Sequence, residues 1–232
     1  MNYVMSDIYG DVERFGEMLG MIDLKEEDNL YLLGNFIGGE GSAELLTQLA
    51  ESVNIFPIMG AVEKAALDVL ELMTENLNSE SAGNPTDEMK TAAAKLAQLG
   101  GRSVISEFIT LDADTKGDLL DFMSELPLFE ICDTDDAAFI LVPRGLGSFD
   151  KNGKKLKKYT FEDLALTEVD YNRNYMDDDK VFIVSGSVPV QDIGGENKVY
   201  TSNNNICING DLKNGGRLIC LCLDTMKEYY VE

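Results

Sequence analysis

Histidine is absent from all 232 residues, which removes the side chain most used for proton transfer near neutral pH and for binding transition metals. Cationic residues are scarce: 19 Lys and Arg stand against 42 Asp and Glu, for a net charge of −23. Nucleic acid and anionic membrane surfaces are held chiefly by Lys and Arg, so neither is expected as a partner. The acidity reads instead as a means of staying in solution. No apolar run reaches the roughly 18 residues that a membrane helix needs. The N-terminus enters a strand at once, without a basic region, an apolar core or a cleavage site, so no signal peptide is expected. The four cysteines, Cys132, Cys207, Cys220 and Cys222, form no CxxC pair and no disulfide framework. That usage points to a reduced, cytoplasmic setting. Gly-Gly pairs at 38–39, 100–101, 194–195 and 215–216 read as turns, and none builds a GxGxxG or P-loop pattern.

What is present begins with Tyr3-Val4-Met5-Ser6-Asp7-Ile8-Tyr9-Gly10-Asp11, a β-prone run ending in a carboxylate, a glycine turn and a helix start. The pattern returns at Leu30–Gly39, where an apolar strand stops at Gly34-Asn35, and again at Asn54–Glu63, where it stops at Met59-Gly60. Three such strands place their C-terminal ends along one crevice, where open α/β sheets bind ligands.

Between them, Val12, Phe15, Met18, Leu19 and Ile22 form one helical stripe over 11–22. Residues 42–51 predict a second helix with Ser42 as its N-cap, and 61–77 a third. This βαβαβ rhythm calls for a parallel sheet with right-handed crossovers. A loop at 76–87 and helices near 87–99, 103–109 and 115–125 read as a helical excursion at about 76–125 within one domain spanning 1–232. Leu128–Cys132 and Ala137–Val142 predict a hairpin about Asp133-Thr134-Asp135-Asp136. The basic run Lys151, Lys154, Lys155, Lys157 and Lys158 reads as a solvated loop. A helix at 160–167, a strand at 180–184 and strands near 197–201, 205–209 and 216–223 follow, the last three expected to form an antiparallel set. The predicted architecture is α/β, a layered α/β/β/α sandwich of two packed mixed sheets flanked by helices.

Over nearly its whole length the chain resembles the calcineurin-like metallophosphoesterases, and among them the small bacterial and phage serine/threonine protein phosphatases. The family motifs SDxHG, GDxxDRG, GNHE, VHxG and GHTP find counterparts in order. They are Ser6-Asp7-Ile8-Tyr9-Gly10, Gly34-Asn35-Phe36-Ile37-Gly38-Gly39-Glu40, Gly60-Ala61-Val62-Glu63, Val142-Pro143-Arg144-Gly145 and Gly186-Ser187-Val188-Pro189. In that family two divalent metals such as Mn, Fe or Zn, about 3.5–4 Å apart, bridge the phosphate and activate water. The resemblance implies ligands at Asp7, Tyr9, Asn35, Ala61, Pro143 and Ser187, of which only Asp7 is the residue the family uses.

Tyr9, Pro143 and Ser187 stand where imidazoles would bind, and Asn35 replaces a bridging carboxylate. Val62 replaces the general acid. Gly39 stands for the phosphate-clamping arginine and Gly38 for the aspartate before it. Leu166-Thr167-Glu168 stands for Trp-x-Arg, so a second phosphate-binding arginine becomes an acid. Glu63 matches the last GNHE residue and is read as structural. Asp7 is read as a cap for the following turn and helix, Tyr9 as a ring filling the space the metals would take, and Arg144 as a member of a surface ion pair. No catalytic residue, metal or cofactor is therefore expected. The reading is an inactive pseudophosphatase acting as a binding or regulatory module, its partner a protein or a small anionic ligand. The alternative is a diverged phosphoester hydrolase with a one-metal or metal-free site around Asp7, Tyr9, Asn35 and Arg144.

Overall fold

A computed structural model describes residues 1–77, 84–147 and 158–232. The first half alternates as its sequence demands: β1 (Asn2–Met5), α1 (Val12–Ile22), β2 (Asn29–Leu32), α2 (Ser42–Glu51), β3 (Ile55–Pro57) and α3 (Ala61–Leu77). Three further helices follow, α4 (Asp87–Gln98), α5 (Arg102–Phe108) and α6 (Ala113–Ser124). The second half supplies β4 (Glu130–Asp133), β5 (Ala138–Val142), β6 (Val181–Ser185), β7 (Tyr200–Ser202), β8 (Asn205–Cys207), β9 (Leu218–Cys222) and β10 (Lys227–Val231). No helix among the described residues is long and apolar enough to cross a membrane. Of the basic run, Lys158 is exposed, while 151–157 lie outside the described residues, as do 78–83 of the 76–87 loop.

Two mixed five-stranded sheets result, ordered β10-β9-β1-β2-β3 and β4-β5-β6-β8-β7. Strand periodicity explains how they stack. In β1, Tyr3 and Met5 pack toward the helices while Val4 faces the second sheet; in β9, Cys220 and Cys222 take the helix side and Ile219 and Leu221 the inter-sheet side. Strand β9 is therefore buried on both faces, which accounts for its unbroken apolar run, Leu218-Ile219-Cys220-Leu221-Cys222. The outer face of the second sheet is covered by a third cluster that includes Leu146, Tyr159, Leu164 and Val190, carried mainly on loops and short helical turns.

The parallel β1-β2-β3 core and the β4–β5 hairpin form as predicted. The expected terminal antiparallel set does not. β7 and β8 pair antiparallel, but β8 lies parallel to β6 in the second sheet, whereas β9 crosses to the first sheet and runs antiparallel to β1. β10, absent from the sequence-based expectation, completes that edge against β9. The helix expected at 160–167 is a single wide π-helical turn at Glu162–Leu166.

Ser42 is not an N-cap either. The cap position is Gly41, in a left-handed conformation with φ 89°. The backbone amides of Gly41 and Ala43 donate to the Glu107 carboxylate of α5, at 3.0 and 2.8 Å. Ser42 instead accepts from the Gly38 amide at 2.9 Å and donates to the Gly39 carbonyl at 2.6 Å, stitching down the loop before α2.

Candidate functional site

The loops leaving β1 and β2 run side by side. The amides of Asp7, Tyr9 and Gly10 donate to the carbonyls of Gly34, Asn35 and Phe36, and the Gly39 amide returns to the Tyr9 carbonyl at 2.7 Å. Gly34 and Gly60 bring the β2 and β3 loops into backbone contact: a Cβ on Gly34, which has φ +76°, would lie 2.6 Å from the Gly60 Cα. This tight stacking requires glycine at both turns. Four non-glycine residues of the crevice hold left-handed backbones: Asp7, Tyr9, Asn35 and Ser187, with φ between 50° and 68°. Such conformations cost about 1–3 kcal/mol each and persist where surrounding bonds fix them. They fall on positions named by the motif comparison.

Asp7 is buried at the centre. Its Oδ1 accepts from the Asn35 side-chain amide at 2.9 Å and its Oδ2 from the Ser187 backbone amide at 2.7 Å. The expected helix-capping role is thus wrong. α1 is capped by Asp11, whose carboxylate accepts from the Arg14 amide at 3.0 Å, because Asp11 immediately precedes the first turn and Asp7 does not. Burial pushes the Asp7 carboxyl up, opposed by the Ser187 and Asn35 bonds. Tyr9 is half-buried beside Gly38, where an added Cβ would meet its Cδ1 at 3.0 Å. Burial, then the Asp7 charge, push its phenol well above the ordinary range, so it stays protonated.

Asn35 also ties Asp7 to α3. Its backbone amide donates to Glu63 at 2.8 Å and its side-chain oxygen accepts from the Val62 amide at 3.4 Å. Val62 is buried in the helix-side core. Glu63, fully buried, also accepts from Ile37 at 3.1 Å and from Gly60 at 3.1 Å. At the third position of α3 it reaches back to the amide of the residue before the helix, as a capping-box glutamate does. The structural role read for Glu63 is therefore what the geometry displays. Ala61 opens α3, and Pro143 is buried after β5, its carbonyl accepting from Gly186 at 3.1 Å.

Glu63 sets a pH dependence. Burial pushes its carboxyl from an ordinary 4.5 to about 7, against the pull of its amide donors. Below 4.5 the folded and unfolded chains both hold the proton. Between 4.5 and about 7 only the folded chain does, so stability falls as pH rises and the loss is complete above about 7. At about 1.4 kcal/mol for each pH unit this amounts to about 3 kcal/mol. Urea midpoints should be lower at pH 8 than at pH 5, with a shallower difference in Glu63→Gln. A wild-type midpoint that rises over that interval would overturn the assignment.

Arg144 forms the surface ion pair expected of it. Its Nη2 pairs with Oε1 of exposed Glu168, and its Nη1 donates to the Ser187 hydroxyl at 3.1 Å. Lys213 was missed by the sequence reading. Its ammonium lies 4.9 Å from the Tyr9 ring centroid and donates to the Leu99 carbonyl at 2.9 Å, closing the crevice against the end of α4. No local pattern marks it, since only the fold brings the β8–β9 connection to Tyr9. Beside Tyr9 a cavity of about 430 Å³ is walled by Asp11, Glu13, Glu40 and Glu44, a rim that repels anions.

The donor set does not fit a two-metal centre. Among the described residues no group of three or more His, Cys, Asp or Glu side chains is placed to hold a metal ion. Both Asp7 oxygens already accept from nitrogen donors.

The two stacked mixed sheets, with the crevice at the carboxyl ends of β1–β3, define the metallophosphoesterase fold. The chain is similar to a solved structure provisionally described as a diadenosine tetraphosphatase, at 15% identity with a TM-score of 0.59, over 99% of this chain and 92% of that one. It is also similar to a metallophosphoesterase from Sphaerobacter thermophilus, at 13% identity with a TM-score of 0.50, over 100% of this chain and 88% of that one. No family model and no curated protein matches the sequence.

Proposed function

We propose that this chain is a pseudophosphatase of the serine/threonine phosphatase-like branch: a phosphatase fold that binds or regulates, in the cytoplasm, without hydrolysing phosphoesters. The observation that carries the reading is the state of Asp7. Its two carboxylate oxygens are bonded to Asn35 and Ser187, two of the positions where the family resemblance places metal ligands. A cation there would share both oxygens with those donors, and the neutral Tyr9, Asn35 and Ser187 offer it little further charge or donor strength. Val62 is an apolar core residue where a proton donor would stand, and Arg144, the crevice's arginine, is engaged by an acid. The intact scaffold then serves as a surface for a protein or a small anion, and no metal or cofactor takes part.

The test is a thermal-shift series with EDTA, Mn²⁺, Zn²⁺ and Fe²⁺ on the same sample as a generic phosphoester assay. Specific binding at about 100 times the dissociation constant would stabilise the fold by roughly 2.7 kcal/mol, which the melting temperature reads easily. No specific shift and no turnover are expected. A metal-dependent shift and turnover, both lost in Asp7→Ala, would return the chain to the enzymes.

A further inference from the structure

We propose that Arg144 and Ser187 form an oxyanion-binding site for a phosphate or carboxylate group, held shut by Glu168 acting as an internal substitute for the ligand. The inference rests on the emptied-site reading above and names what the site takes in place of metals.

Arg144 lies just past β5 and Ser187 just past β6, adjacent parallel strands, so both stand at the carboxyl ends where such sheets bind ligands. A guanidinium has a side-on edge, Nε with Nη2, that matches two oxygens of one oxyanion. In this structure that edge is half used. Nη2 meets Oε1 of Glu168, while Nε is buried and has no hydrogen-bond partner among the described residues. Buried donors without partners are uncommon and call for an occupant. The Ser187 hydroxyl takes Nη1 at 3.1 Å and so fixes the plane of the fork. Arg144 itself stands at the variable position of its motif and owes nothing to the family's metal set.

Glu168 is a weak stopper. Its side chain is 58% exposed, against 28% for Arg144, and it reaches the fork through one oxygen. Exposed pairs of this kind contribute little, so an oxyanion able to span Nε and Nη2 competes with it. Two features keep the affinity low in the wild type: the Glu168 charge at the fork and the strongly acidic chain around it, with a net charge of −23.

The experiment titrates inorganic phosphate, and acetate in a parallel arm, against wild type, Glu168→Gln and Arg144→Lys. It is run in EDTA with ionic strength matched by KCl and read by calorimetry and thermal shift. Glu168→Gln should bind phosphate up to about fivefold more tightly than wild type, the upper range of what such a pair contributes. Arg144→Lys keeps the charge and the fold but lacks the fork, and should lose the response. An equal response to acetate identifies a carboxylate-bearing partner, and a response to phosphate alone identifies a phosphate ester; both support the site. The proposal is overturned if Glu168→Gln binds neither anion more tightly than wild type, or if Arg144→Lys binds as well as its parent. EDTA separates this outcome from the metal question, so a hydrolytic site would appear in the metal series and leave the anion arm unchanged.

Discussion

Glu63→Ala is expected to lower the unfolding free energy by about 4 kcal/mol at pH 5. Three backbone amides, those of Asn35, Ile37 and Gly60, converge on this one side chain. A buried donor stripped of its acceptor costs about 1–3 kcal/mol. Alanine would strip all three at once, in a place where Glu63 has no exposure. The loss also loosens the β2 loop from the start of α3, leaving the Val62 amide to Asn35 as a remaining hydrogen bond between them. It should narrow toward pH 8, because the alanine variant escapes the cost of burying the charge. Urea unfolding at the two pH values measures both statements. A loss below about 1 kcal/mol at pH 5 would mean that the three amides find other acceptors.

The second large effect concerns restoration of the arginine that the family motif carries at Gly39. Any side chain there meets backbone: a Cβ would sit 2.3 Å from the Tyr9 carbonyl oxygen, the same atom that accepts the Gly39 amide. Gly39→Ala should therefore cost about 3 kcal/mol, the upper range for overpacking, and Gly39→Arg at least as much. Combining either with Tyr9→His should bring no relief, because the clash is with the main chain of Tyr9 and not its ring. Gly16→Ala is the opposing control. It lies on α1 with nothing within 4 Å of its added Cβ, and should stabilise by roughly 0.5–1 kcal/mol. Melting temperatures of the three variants decide the matter. A Gly39→Ala protein as stable as wild type would show that the loop yields freely and that an arginine could return.

The loops around Gly38 and Gly39 are tightly packed. The loop leaves no room at Gly39 for the arginine that the motif of the resembled family carries there. At Gly38 an added Cβ would meet the Tyr9 ring, not its main chain, at 3.0 Å, so the position of the motif aspartate is crowded by a side chain.

Much of this was legible in the chain. The β1–α1–β2–α2–β3–α3 order followed from apolar runs that end in glycine turns and from 3.6-residue stripes, signals contained within short windows. The pairing of β8 and β9 was not legible. Asn205–Cys207 and Leu218–Cys222 look alike as short apolar strands, and only packing against the rest of the molecule sends one to β6 and the other to β1. Likewise Ser42 had the chemistry of a cap, yet Glu107, far along the chain, supplies the acceptor.

The sequence by itself determined the kinds of group available to the crevice: no imidazole anywhere, a carboxylate at Asp7, an amide at Asn35 and an arginine at Arg144. Those identities exclude imidazole ligation, because coordination depends first on donor type. Only the tertiary structure decided how these groups spend their hydrogen bonds. Asp7 turns to Asn35 and Ser187, Arg144 to Glu168, and Lys213 to Leu99 across Tyr9. The reason is distance: each pairing joins residues well apart in the chain, and a hydrogen bond forms only within about 3 Å, a separation that exists once both sheets have closed.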